Sequence, residues 1–368
     1  MYNPQQLKEE FEMVEHGKSR ISAIRSAIRM ADENHDLMYQ LGFRLDLCHE
    51  STFYEDSMDM MIVFPEALAL VDKYPDIPTT PDKRRFKNGL DRVLQVYKWV
   101  IVTCEDYYQI SYEDYLRFLE DFKQRSIAFG YNLKPYYKCM RGFYKCIDGE
   151  LAEQYFQEFR KLPADGNGDC KACDRNYEIE YYLSIDKKDI ADDLAKDIEN
   201  FKLSCGKNNN HAWLRLKTQY LEYYMKRKDY ENAMKYVRVL EQHGRKTKLT
   251  EFEEWDIFLQ CYAHTDIGKA LKIYKSNWRD WYEERCPYDK LYQDVRISIF
   301  FRELGKARKG NTVKLDLIPD FPLYSENGIY NIQELERFYY ESAKDLAIKF
   351  DKRNGTDFYQ RDLEKMRS

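Results

Sequence analysis

Ala212-Trp-Leu-Arg-Leu-Lys-Thr-Gln-Tyr-Leu-Glu-Tyr-Tyr-Met-Lys-Arg-Lys-Asp-Tyr-Glu-Asn-Ala-Met-Lys-Tyr-Val-Arg-Val-Leu240 carries one pattern twice. Leu216, Tyr220, Tyr223 and Tyr224 recur at spacings of three and four, Lys226-Arg-Lys-Asp229 interrupts them, and Tyr230, Ala233, Tyr236, Val237 and Leu240 resume the period. Because a helix turns every ~3.6 residues, such spacing gathers the apolar groups on one face. The segment predicts a helix, a tight turn and a second helix.

The same unit is legible on both sides. An aromatic or apolar residue late in a first helix is followed, nine positions on, by a small residue early in a second: Phe143 and Ala152, Tyr182 and Ala191, Tyr224 and Ala233, Cys261 and Ala270. The alanines lie 39, 42 and 37 residues apart, and Tyr112-Glu-Asp-Tyr115 begins a more degenerate unit before them. A small residue at that place lets paired helices approach closely, as in tetratricopeptide-like hairpins, although the spacing is looser than the ~34 residues usual there. The expected fold is all-α: a right-handed superhelix of TPR-like hairpins with a short extended C-terminal arm.

Three regions are expected. Residues 1–80 form an N-terminal helical region, with helices over 19–32, 35–50 and 57–73. Residues 81–309 form the repeat array, opened by a long helix over 82–108 whose start is capped by Thr79-Thr80-Pro81-Asp82. Residues 310–368 form the arm and a capping helix: Pro319 and Pro322 flank Asp320-Phe321 in an extended stretch, and Asn331-Ile-Gln-Glu334 has capping-box spacing. Asn354-Gly355 suits the positive φ of a helix end.

Composition narrows the partners. The 59 basic and 64 acidic residues are interspersed and sum to −5, which removes the drive toward phosphate backbones, so nucleic acid is not favoured. The longest apolar run, Trp99-Val-Ile-Val-Thr-Cys104, falls far short of the ~20 residues that span a bilayer, so no membrane is expected. The first residues lack a secretory pattern, and the nine cysteines are scattered rather than densely framed; both point to the cytoplasm and to mostly buried, reduced thiols.

Val96-Tyr-Lys-Trp-Val-Ile101, Asp169-Cys-Lys-Ala-Cys173, Leu203-Ser-Cys205, Ile318-Pro-Asp-Phe-Pro-Leu323 and Phe350-Asp-Lys-Arg-Asn-Gly-Thr356 stand in this order along the chain. In that order they resemble a family of bacterial tetratricopeptide-repeat proteins, over about residues 90–360. The resemblance implies an all-α repeat fold and a cytoplasmic location, and brings no established activity.

One cluster could carry chemistry. Cys170-x-x-Cys173 is a common zinc half-site, since a short turn brings both thiolates to one tetrahedral centre. In the repeat register, Cys170 lies 21 residues before Ala191 and His211 lies 22 before Ala233, so the two hold nearly equivalent places in consecutive hairpins. Cys205 falls in the loop between them. These four residues are the expected ligands of one structural zinc that clips two hairpins together. The plainer reading has small thiols packed as apolar groups; a Cys170–Cys173 redox pair is a third, without the βαβ setting such pairs occupy.

Glycine-rich phosphate loops, His-Glu-x-x-His and nucleophile elbows are absent from the sequence, so no catalytic residue is assigned and no enzyme is expected. Carboxylate pairs such as Asp192-Asp193 and Glu253-Glu254 read as solvated faces, and the basic run Arg302, Lys306, Arg308, Lys309, Lys314 as a solvated helix end. The 32 tyrosines are the informative excess, because a ring with an apolar body and a polar tip suits a half-buried groove wall. Tyr137, Tyr181, Tyr182, Tyr220, Tyr223 and Tyr224 are the candidates for contact with a protein or peptide in the concave face. The function expected is a binding scaffold or adaptor; the alternatives are a peptide-gated regulator and, after it, a cysteine-dependent redox or hydrolytic enzyme.

Overall fold

A computed structural model describes residues 2–54, 58–80, 86–205, 211–247 and 255–368. Pro81 and Asp82 of the expected cap, Ser57 at an expected helix start, and the pair Glu253-Glu254 lie outside the described residues. Among the described residues the chain is all-helical apart from two three-residue strands. It divides into two compact units: residues 1–168 with 353–356, and residues 169–352 with 357–368.

The first unit holds α1 (Pro4–Met13), α2 (Lys18–Glu33), α3 (Leu37–Tyr54), α4 (Met58–Lys73), α5 (Gly89–Glu105), α6 (Tyr112–Phe129), α7 (Lys134–Tyr144) and α8 (Gly149–Lys161). Side-chain caps set several starts. Ser111 accepts from the Asp114 amide at 3.0 Å ahead of α6, and Asp148 accepts from Glu150 and Leu151, both at 3.0 Å, ahead of α8. Of the expected helix over 82–108, residues 82–85 lie outside the described residues, and α5 occupies Gly89–Glu105. Asn88 accepts from the Asp91 amide at 3.0 Å and so begins α5 at Gly89, while Glu105 is its last residue. Arg353 returns to this unit and supplies what the end of α5 lacks: its Nη1 donates to the carbonyls of Glu105 at 3.0 Å, Tyr107 at 3.2 Å and Cys104 at 3.4 Å. The last carbonyls of a helix have no partner within it, and a guanidinium there also meets the negative end of the dipole. Gly355 follows at φ 67°, the conformation expected where the C-terminal helix stops.

The second unit holds α9 (Lys171–Ser184), α10 (Lys188–Glu199), α11 (His211–Lys226), α12 (Tyr230–Thr247), α13 (Trp255–Thr265), α14 (Ile267–Glu283), α15 (Pro287–Ala307), β1 (Thr312–Lys314), β2 (Ile329–Asn331), α16 (Ile332–Asn354) and α17 (Phe358–Arg367). Neighbouring helices pack in pairs along the chain, α9 with α10, α11 with α12 and α13 with α14, and α9 also meets α11. The anchors Ala191, Ala233 and Ala270 are fully buried. Two successive hairpins use the same turn. Asp186 and Lys228 take left-handed φ of 61° and 58°, and the next amides bond back five residues, Lys187 to Tyr182 at 2.8 Å and Asp229 to Tyr224 at 3.0 Å. This is the Schellman closure, which satisfies carbonyls that would otherwise lose their partners.

The arm departs from the simple extended expectation. β1 and β2 pair antiparallel with Thr312 opposite Asn331, and Leu315, Leu317 and Phe321 enter the core. The Phe321 ring lies 5.1 Å from Phe338 of α16 and 5.3 Å from Tyr282 of α14. Asn331 then caps α16 as its spacing predicts, accepting from the Gln333 amide at 2.9 Å and the Glu334 amide at 3.3 Å. Asp351 near the end of α16 accepts from the amides of Tyr359 at 2.9 Å and Gln360 at 3.0 Å, and so opens α17.

Candidate metal centre

Cys170 is the N-cap of α9, with extended backbone at φ −69° and ψ 157°, and Cys173 is three residues into the same helix. Those two places lie over one another at a helix start, so both sulfurs face the same side. Cys205 arrives from the loop after α10. Phe201 ends α10 in a left-handed conformation at φ 55°, the Leu203 amide bonds the Asp197 carbonyl at 3.0 Å, and the Cys205 carbonyl accepts from the His211 amide at 3.0 Å.

The three sulfurs lie within 4.8 Å of one another. The Cys173 and Cys205 sulfurs are 3.6 Å apart. A disulfide needs about 2.05 Å, so this pair is not bonded. Four sulfurs around an ion at a bond length of ~2.3 Å would stand about 3.8 Å apart, close to the observed separation. The arrangement could hold a metal ion. Cys170 is exposed and the other two are half-buried.

Electrostatics agree with this. Burial opposes ionisation of Cys170, but the Cys173 amide, the Cys205 and Cys173 thiols and the Ala172 amide outweigh it and hold its pKa below the ordinary value. Cys173 moves the other way: burial first, then the charges of Cys205 and Cys170, push its pKa far up. Three thiolates this close repel, and a bound cation is what would let all three ionise.

His211 stands at the first position of α11 and is exposed. Its backbone joins it to Cys205, but its ring nitrogens are not among the atoms that converge within 4.8 Å. Of the other six cysteines, Cys48, Cys104, Cys139, Cys146 and Cys261 are buried, as expected for packed thiols, and Cys286 is half-buried.

Two amides unremarked in the sequence hold the helices that carry the cluster. Asn176, fully buried on α9, donates from Nδ2 to the Ala212 carbonyl at 2.9 Å, and Gln219 on α11 donates from Nε2 to the Asn176 carbonyl at 3.1 Å. They lie 43 residues apart, nearly the local repeat spacing, and polar residues on the apolar face of first helices were the available signal. Arg175 adds an ion pair to Asp197 of α10 at 3.0 Å.

The six candidate tyrosines divide. Tyr181, Tyr182, Tyr220 and Tyr223 are buried, whereas Tyr137 and Tyr224 are half-buried. Tyr220 donates to Asp192 at 2.6 Å and Tyr223 to Asp186 at 2.8 Å. Tyr224 and Tyr220 both stack on Tyr236, with centroids 5.7 and 5.6 Å away, and Tyr137 stacks on Tyr155 at 6.3 Å. In the basic run, Arg302 and Lys306 pair with Glu303 at 3.0 and 2.8 Å. No helix among the described residues is long and apolar enough to cross a membrane. No protein-family model matches the chain, and neither does any curated protein or solved structure.

Proposed function

We propose that the chain is a non-enzymatic scaffold whose helical hairpins continue as a TPR-like, right-handed superhelix binding a protein or peptide segment, and that a structural zinc ion braces its second unit. The observation that carries the brace is the meeting of two thiols at the start of α9 with a third from the loop after α10, at a spacing that suits one soft ion. Thiolate sulfur selects zinc over the hard cations, and a closed structural site takes four ligands. Cys170, Cys173 and Cys205 supply three, and His211 is assigned the fourth place, adjoining Cys205 through its backbone. Binding would replace thiol repulsion with attraction at the start of α9 and α11, the pair of first helices that also exchange the Asn176 and Gln219 hydrogen bonds. The resemblance to bacterial tetratricopeptide-repeat proteins favours the same reading, and a thiolate site suits the reducing cytoplasm. Tyr224 and Tyr137, half-exposed at their stacked pairs, are the aromatic contacts assigned to the partner.

Protein purified without added zinc is expected to carry about one zinc ion per chain by mass spectrometry, and to lose it in Cys205→Ser. Removing the ion with a chelator should raise hydrogen exchange at the starts of α9 and α11 and leave α13 and α15 unchanged. A zinc content near zero would overturn the brace. Affinity purification from native lysate tests the scaffold separately: recovery of one protein or peptide, weakened by Tyr224→Ala, supports it, and recovery of none counts against it.

A further inference from the structure

The Cys173 sulfur comes from α9 and the Cys205 sulfur from the loop after α10; they stand 3.6 Å apart and are half-buried beside the exposed Cys170. From this geometry we infer that the site is also a redox site, at which hydrogen peroxide exchanges the ion for a Cys173–Cys205 disulfide. The inference rests on the thiol cluster assigned to zinc above. Closing the pair takes an approach of roughly 1.5 Å, from 3.6 Å to the ~2.05 Å of a bond, within reach of side-chain rotation at a loop cysteine.

The step balances with a peroxide as oxidant. One sulfur of the pair attacks a peroxide oxygen; the O–O bond breaks, and the leaving hydroxide takes a proton to become water. The sulfenic acid so formed is attacked by the second sulfur; the S–S bond forms, the S–O bond breaks, and a second water leaves. Two thiols are oxidised by two electrons and the peroxide is reduced to two waters. The ion, left with Cys170 alone of the three sulfurs, is released.

The chemistry has a structural corollary. Ion and disulfide join the same two places, the first turn of α9 and the loop that leads into α11, so oxidation replaces one cross-link by another and does not sever the hairpins. Cys170 remains as an exposed thiol next to the new disulfide. An outside dithiol that enters on this exposed side attacks the disulfide and leaves as its own disulfide, returning both thiols, which makes the oxidised state reversible.

The test uses the full chain in two forms, loaded with zinc and stripped by chelator, each given an equimolar amount of hydrogen peroxide. Expected from the loaded form are release of its zinc to a chromophoric chelator and a peptide pair linked through Cys173 and Cys205, two hydrogens lighter than the thiols and restored by dithiothreitol. The stripped form should give the same linked pair faster. Cys170→Ser should still form it, and Cys205→Ser should not; if Cys205→Ser fails to fold, the location of the link in the wild-type digest decides. A link through Cys170, sulfinic acids in place of any link, or zinc retained under peroxide would overturn the inference while leaving the zinc brace intact. A chain that never binds zinc but forms the Cys173–Cys205 bond would instead overturn the brace and keep the thiol pair as a redox site.

Discussion

Replacing Arg353 by alanine is expected to loosen the first unit from a position more than 240 residues away in sequence from the helix it caps. The side chain makes three contacts to the carbonyls that end α5, all through Nη1, and its Nε donates to Asn354 at 2.8 Å. One nitrogen shared among three acceptors is best counted as a single hydrogen bond from a charged donor, about 1.5–3 kcal/mol. Placing a positive charge at a helix C-terminus adds about 0.3–1 kcal/mol, and a guanidinium 5.8 Å from the Phe143 ring adds a little more at such a site. The loss in Arg353→Ala should therefore be about 2–4 kcal/mol, which for a unit of this size lowers its midpoint by roughly 4–16 °C. Two units need not unfold together, so a whole-chain transition is a poor readout. Hydrogen exchange resolved to peptides is a better one: the slowest amides of α5 should lose protection by the same free energy, with the greatest effect at 103–107. Arg353→Lys keeps the charge but loses the planar fork, and should recover less than half. Unchanged protection of α5 in Arg353→Ala, within about 0.5 kcal/mol, would refute the capping argument.

Two further perturbations test the core of the second unit. The Tyr274 and Tyr339 hydroxyls meet at 2.9 Å in the core. Either Tyr→Phe change alone leaves one buried hydroxyl without its partner and should cost about 1–3 kcal/mol, whereas the double change should cost clearly less than the sum, as read from a urea double-mutant cycle; strict additivity would mean the pair is uncoupled. Asp294 is fully buried, with Lys290 donating to one oxygen and Ser342 to the other at 2.6 Å, and burial, only partly offset by Lys290 and Ser342, raises its pKa above the ordinary carboxylate value. A raised folded-state pKa means that the folded state holds the proton more tightly, so the stabilisation is full below the unfolded pKa and is lost as pH rises through the folded one. Wild-type stability relative to Asp294→Asn should therefore improve as pH falls through the raised folded-state pKa toward the ordinary carboxylate range, and a difference that is flat or of opposite slope would contradict the burial argument.

The hairpins were legible because their signal is local. Leu216 to Leu240 repeats at three and four, and a helix that buries one face needs nothing else to declare itself. The boundaries were less so. The start expected at Asp82 lies outside the described residues, while Asn88 accepts from the Asp91 amide and so starts α5 at Gly89, a choice of cap that composition does not resolve. β1 and β2 are three residues each, too short for alternation to register, and exist because Thr312 and Asn331 are brought opposite one another by a loop whose apolar residues enter the core. In the sequence the Arg-Asn-Gly-Thr segment reads only as a helix end at Asn354-Gly355. The rest is non-local: Arg353 serves a helix end formed by residues 104–107, and Asp351 serves the start of α17.

The thiol cluster divides the same way. Cys170 and Cys173 are three apart at a helix start, so their convergence follows from spacing alone, while Cys205 joins them only because α9 and α11 pack side by side and the chain turns at Phe201 with positive φ. The repeat register anticipated that neighbourhood, since it placed Cys170 and His211 at equivalent points of consecutive hairpins. It could not fix a rotamer, and the imidazole is the one expected ligand whose ring lies apart from the sulfurs. That difference bears on the chemistry. Three thiolates carry one more negative charge than zinc carries positive charge, so the proposed site would hold its ion firmly while all three sulfurs stay reduced. Joining Cys173 to Cys205 takes two of those charges away and leaves one thiolate, and the proposed release of the ion follows from that loss of ligands and charge.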